Sequence, residues 1–227
     1  MFFILSGSAL MLTYKKGLSI KNYLKRRFIS IYPMFWVAYA IVFLYYFYKY
    51  FAINPFSPEV PKWTFALSII GLDGYLSGLI PNYYILGEWF LGCIIIFYFL
   101  FPALRYLLIK FPKILAISSL VVYFIVIQNY IFELPIDYNI LTRLPEFLFG
   151  MYFVQYFKKV NVYAFLVSLA LVIFMLFVEI PSINYMYTIS LFGIPLFIVL
   201  AFIGQQIGRE KIQKPFCLLA NTLLLFS

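Results

Sequence analysis

The 227-residue chain contains no histidine. That absence removes the commonest general base and the commonest metal ligand. It has two cysteines, Cys93 and Cys217, each inside an apolar run. They offer no disulfide framework and no metal-ligand spacing, and in such runs a free cysteine behaves as a small hydrophobe. Charge is scarce as well: 11% of the residues are charged, where an average soluble domain has about a quarter. Acids are scarcest, 8 against 17 lysines and arginines. There is no low-complexity linker and no internal repeat, and the opening residues are not expected to be a cleavable signal peptide, since they have no basic leading region.

What fills the chain instead is apolar. Hydrophobic residues make up 65% of it and aromatics 23%. A soluble fold of this size has no interior large enough for that surface, so the bilayer is the expected solvent. The formal charge of +9 does not point to nucleic acid, because a polytopic membrane protein gathers its cations in cytoplasmic loops. The expected fold is all-α, one polytopic membrane bundle over residues 1–227. Apolar segments fall at about 1–14, 32–51, 88–109, 114–132, 141–157, 161–179, 186–206 and 215–227. The first and last are shorter than the roughly 20 residues a spanning helix needs, so the chain is expected to be incomplete at both ends, part of a longer protein. The stretch 63–81 is apolar but carries Asp73 and several glycines. It is read as an interfacial or re-entrant segment.

The charges favour that reading. With 63–81 not crossing, Lys15, Lys16, Lys21, Lys25, Arg26, Arg27, Arg105, Lys110, Lys113, Lys158, Lys159, Arg209, Lys211 and Lys214 all fall on one side. Seven of the acids fall on or near the other, Glu210 excepted. The basic loops are therefore expected in the cytoplasm. Interfacial aromatics such as those in "YYFYKYF" (45–51) fit a membrane belt, with a sugar-stacking platform as the alternative for the outer side.

Ionisable groups in or beside a span are costly and mark candidate sites. Arg143 and Glu146 in "LTRLPEFLFGMYF" are three residues apart and share a helix face. They suit either a structural ion pair or an arginine held towards an interior cavity by its carboxylate. Glu88 in "GEWFLGC" suits either the first turn of a helix, where it favours the dipole, or a role in polarising a hydroxyl acceptor. From Ser19, "SIKNYLKRRFISIYP" is amphipathic: Ile20, Tyr23, Leu24, Phe28 and Ile31 fall near helical spacing, with Lys21, Lys25 and Arg26 on other faces. Such a helix is expected to lie along the cytoplasmic surface and lead into a span at Pro33. Its cations suit the lipid surface or a phosphate-rich ligand.

Four stretches resemble a known family. "FFILSGSALMLTY" (2–14), "YLKRRFISIYPMFW" (23–36), "EWFLGCIIIFYFLFPAL" (88–104) and "RLPEFLFGMYF" (143–153) are similar, in order and spacing, to motifs of the acyltransferase 3 family. The resemblance implies an integral membrane enzyme. It would move an acyl group, commonly acetyl, from cytosolic acyl-CoA to hydroxyls of a cell-surface or lipid-linked carbohydrate. Acetyl-CoA would be a co-substrate, with no resident cofactor and no metal. The implied location is the bacterial plasma membrane. By the same resemblance Arg26 and Arg27, with Lys25, would meet the CoA phosphates, while Ser30 stands where the family often has another basic residue. The family's presumed base is a histidine of a preceding helix. Within this chain the catalytic base is therefore unknown, with Glu88, Arg143 and Glu146 as candidates. The rival reading is a polytopic glycolipid transporter or flippase without bond chemistry, its buried charges forming a substrate path.

Overall fold

The computed structural model describes residues 1–50, 60–86, 89–157, 159–177 and 184–209. Glu88, Cys217 and the apolar run 215–227 lie outside them. In chain order the helices are α1 (Phe2–Thr13), α2 (Ile20–Tyr50), a 3-10 turn (Lys62–Thr64), α3 (Phe65–Ile70), α4 (Asp73–Leu76), α5 (Trp89–Lys110), α6 (Pro112–Gln128), α7 (Ile140–Tyr152) with a π-helical extension (Phe153–Phe157), α8 (Val162–Phe177) and α9 (Tyr185–Arg209). No strand occurs among the described residues, as the all-α expectation requires. Three helices, Ile20–Lys49, Trp89–Lys110 and Tyr185–Gln206, are long and apolar enough to cross a membrane, while Phe2–Thr13, Pro112–Gln128 and Val162–Phe177 are apolar but shorter.

The chain forms two compact units: Met1–Leu18, Leu104–Asn129 and Leu141–Ser227 make one, Ser19–Ala103 and Tyr130–Ile140 the other.

In the second unit, α2 is longer than a span. Its 31 residues extend about 46 Å at ~1.5 Å per residue, against a hydrocarbon core of about 30 Å. Here the structure corrects an expectation: the basic stretch is not a separate surface helix leading into a span at Pro33. Pro33 lies inside one continuous helix. The surplus length lets the cationic end project beyond the apolar part. Helix α5 also contains a proline, Pro102. Having no N–H, it leaves the carbonyl of Tyr98, four residues back, without its helical donor. The Tyr23 hydroxyl of α2 donates to that oxygen at 2.8 Å. A buried tyrosine thus repairs the ladder and ties the two helices together, and the Tyr23 and Phe101 rings lie 5.5 Å apart.

The segment after α2 does not form a spanning helix. Helix α3 has 6 residues and ends at Gly71, in the left-handed region at φ 73°. The Leu72 N–H bonds Leu67 O at 2.9 Å and the Gly71 N–H bonds Ser68 O at 3.3 Å, the pattern of a Schellman cap. Two orphan carbonyls remain. Trp36 Nε1 donates to Ile69 O and Tyr32 Oη to Ile70 O, both at 2.9 Å. A β-carbon on Gly71 would stand 2.9 Å from Ile95 Cδ1, so conformation and space both call for glycine. Asp73 follows, buried, with its carbonyl accepting from Asn82 Nδ2 at 2.8 Å.

In the first unit, α1 and α7 touch through glycine. A β-carbon on Gly7 would overlap the Phe147 carbonyl oxygen, and one on Gly150 the Ile4 carbonyl oxygen. Small residues spaced this way let two helix backbones meet. Ser8 Oγ reaches Ile4 O at 2.8 Å and Gly150 O at 3.2 Å. Helices α8 and α9 stack Phe165 on Phe202 with centroids 4.4 Å apart. Pro112 opens α6 and sets the break after α5, since Phe111 before it sits at φ −134°, ψ 58°, outside the helical region.

Candidate functional site

Chemistry-bearing residues gather at two places, one in each unit.

In the second unit, α2 and α5 border a cavity of about 380 Å³, lined by Leu24, Lys25, Arg27, Phe28, Ile31, Tyr32, Ile95, Tyr98 and Phe99. The lining is apolar apart from two cations and two tyrosine hydroxyls. Helical spacing explains how a cation comes to be there. Tyr23, Arg27, Ile31 and Phe35 recur every four residues, so Arg27 lies on the stripe whose other members are buried. Its guanidinium carbon sits 5.5 Å from the centroid of the Tyr98 ring, a contact worth about 0.5–2 kcal/mol depending on desolvation. Its Nε is buried without a hydrogen-bond partner among the described residues. Lys25 is exposed at the rim, whereas Arg26 is exposed and is not among the lining residues. Of the three cations singled out in the sequence, two therefore share the cavity. Tyr32, fixed at its tip by Ile70 O, and Tyr98 hold their rings in place.

In the first unit, Arg143 and Glu146 do share a face of α7, as their spacing predicts. Arg143 NH1 lies 3.3 Å from Glu146 Oε1. Both are buried, Glu146 with 1% and Arg143 with 6% of its surface exposed. The guanidinium also sits over the Phe3 ring of α1 at 5.8 Å. Two further residues, not singled out in the sequence, complete the cluster. Ser190 Oγ of α9 donates to Glu146 Oε1 at 3.2 Å. The Tyr123 hydroxyl of α6 lies 3.1 Å from both Ser190 Oγ and the Met186 carbonyl oxygen. Side chains of four helices thus meet around this ion pair, Arg143 and Ser190 on the carboxylate itself, Tyr123 on Ser190 and Phe3 on Arg143. The amino nitrogen of Met1 is 3.7 Å from Oε2. Glu88, the remaining candidate, lies outside the described residues.

Neither place offers a metal centre: among the described residues no three carboxylates or cysteines cluster. Cys93 is buried, its thiol donating to Tyr138 O at 2.9 Å. The first unit supplies a desolvated carboxylate within a hydroxyl and guanidinium network. The second supplies an apolar cavity with guanidinium and ammonium groups at its wall. Such a combination suits an amphiphile with an anionic part.

The model of an acyltransferase domain family, that of acyltransferase 3, matches residues 1–224 of the 227. The chain belongs to the acyltransferase 3 family. No curated protein and no solved structure gives a match. Membership makes this a membrane acyltransferase, in keeping with its apolar helices. The match runs well past the quoted motifs, which end at residue 153, and takes in α8 and α9.

Proposed function

We propose that this acyltransferase 3 protein transfers a short acyl group, acetyl in the first instance, from cytosolic acyl-CoA to hydroxyls of a cell-surface or lipid-linked carbohydrate. The proposed location is the bacterial plasma membrane, with the basic loops in the cytoplasm, where acyl-CoA is found. The observation that carries the donor assignment is the cavity between α2 and α5. Acyl-CoA presents phosphates at one end and an uncharged pantetheine arm with its thioester at the other. Arg27, and Lys25 at the rim, match the first part. Leu24, Phe28, Ile31, Ile95 and Phe99 match the second. Arginine suits this task because its planar fork pairs two phosphate oxygens and never deprotonates. Arg26, exposed beside them, adds attraction for the same anion from outside the cavity.

On this reading Arg143 and Glu146 face the acceptor, and transfer puts the acyl carbonyl on an acceptor hydroxyl, whose proton is lost, while CoA leaves as the thiol. The family match supports this reading over the transporter alternative. The test is surface O-acetylation by the full-length protein in its own membrane. Arg27→Ala is expected to reduce acetyl-ester content at least tenfold, from the loss of a charge-assisted pair worth about 1.5–3 kcal/mol. Arg26→Ala is expected to reduce it less. Unchanged ester content in Arg27→Ala, with the protein present in the membrane, removes Arg27 from donor binding.

A further inference from the structure

The carboxylate of Glu146 is held unevenly. Oε1 receives two donors, Arg143 NH1 at 3.3 Å and Ser190 Oγ at 3.2 Å. Oε2 is buried and receives no hydrogen bond among the described residues. The Met1 amino nitrogen stands 3.7 Å away, beyond hydrogen-bond reach, and its residue is 30% exposed at the side chain while Glu146 is at 1%. A buried carboxylate oxygen without a donor is expensive, and such groups persist in native proteins where they have a use.

The supporting residues have a direction. An ionised carboxylate only accepts, so the Ser190 proton points to Oε1. With its proton committed there, Ser190 Oγ is left as an acceptor, and the Tyr123 hydroxyl is in place to donate to it at 3.1 Å. The one Tyr123 proton is shared between Ser190 Oγ and the Met186 carbonyl oxygen, each 3.1 Å away, and the Tyr123 ring stands edge-on to Tyr187 at 5.7 Å. Two hydroxyls, from α6 and α9, therefore orient one carboxylate on α7.

We propose that Ser190 and Tyr123 are positioning residues that hold Glu146 by Oε1, so that Oε2 is the edge offered to a hydroxyl of the acyl acceptor. The inference rests on the reading above in which Glu146 lines the acceptor side. Its ligand chemistry is that of a hydroxyl donor, as a sugar carries. The role is binding and orientation: the hydroxyl donates its hydrogen bond to Oε2, which fixes the oxygen that is to receive the acyl group.

The experiment uses the full-length protein in membranes, with acetyl-CoA as donor and methyl α-glucoside as hydroxyl probe. Ser190→Ala should raise KM for the glucoside about tenfold, as expected for loss of one charge-assisted hydrogen bond. KM for acetyl-CoA should stay unchanged. Ser190→Thr, which keeps the hydroxyl, should restore the wild-type value, and Tyr123→Phe should lie between. A second readout is independent of turnover. In protein with 13C-labelled glutamate carboxyls, the difference between wild type and Glu146→Gln isolates the infrared carboxylate band of Glu146, and Ser190→Ala should shift that band. A band that does not move, or KM values for donor and probe that rise together, overturns the proposal. A band that shifts in Ser190→Ala, while the wild type transfers no acetyl group, overturns both the acceptor role and the function proposed above. Transfer by the wild type with an unmoved band overturns the positioning role alone.

Discussion

Replacing Gly150 by alanine adds one methyl group where α7 meets α1. The new carbon would fall on the Ile4 carbonyl oxygen, and 2.8 Å from Ser8 Oγ and 2.9 Å from the Ile4 carbonyl carbon. The serine hydroxyl can rotate away, but two of these three neighbours are backbone. The helices must separate by on the order of 1 Å, which costs about 1–3 kcal/mol as overpacking does elsewhere. Separation also stretches the Ser8 Oγ–Gly150 O contact, now 3.2 Å, at about 0.5–1.5 kcal/mol. Against this, alanine in place of glycine favours the helix by about 0.5–1 kcal/mol. The balance is a loss of roughly 1–3 kcal/mol. Gly204 of α9 provides the control, since a β-carbon there meets nothing within 4 Å. Gly204→Ala should be neutral or stabilising by up to about 1 kcal/mol. Both are measured by equilibrium unfolding of the full-length protein in mixed micelles, followed by circular dichroism. Two alanine variants of equal stability would refute the claim that α1 and α7 are in backbone contact.

Tyr23→Phe should destabilise the protein by about 1–3 kcal/mol, because it strands the carbonyl that Pro102 leaves open. Pro102→Ala returns the missing N–H, so the cost of Tyr23→Phe should fall below about 1 kcal/mol in the Pro102→Ala background; a double-mutant cycle with no coupling would contradict the repair. Gly71→Ala should cost about 1–2 kcal/mol from the left-handed backbone alone, more with the Ile95 contact, and circular dichroism melting detects it; an unchanged melting temperature counts against the Schellman cap.

Several of these features were legible in the sequence for physical reasons. Long apolar runs located α2, α5 and α9, because twenty apolar residues have few other destinations. The interruption at 63–81 was legible because Asp73 and the glycines are poor company for a lipid-exposed helix. The pairing of Arg143 with Glu146 followed from a three-residue spacing on one helix. Other features were hidden by distance along the chain. Ser190 lies 44 residues from Glu146 and Tyr123 lies 67 from Ser190, so neither spacing nor composition connects them. Pro102 announced an open carbonyl at Tyr98, but not that Tyr23, 75 residues earlier, would fill it. Pro33 misled in the other direction. A proline after an amphipathic stretch reads as a boundary, yet the helix runs through it, since α2 has enough turns on either side to carry one missing bond. The place of Arg27 was latent in the four-residue recurrence of Tyr23, Arg27, Ile31 and Phe35, masked by its charge, which it has in common with Lys25 and Arg26.

On the function proposed above, the cavity between α2 and α5 would hold the acyl donor by Arg27. Calorimetric titration of the purified full-length protein with acetyl-CoA tests it most directly, comparing wild type with Arg27→Ala and Arg26→Ala. Arg27→Ala should weaken binding by about tenfold or more, in line with the loss of a charge-assisted pair, and Arg26→Ala should weaken it less. Equal binding by wild type and Arg27→Ala would contradict it.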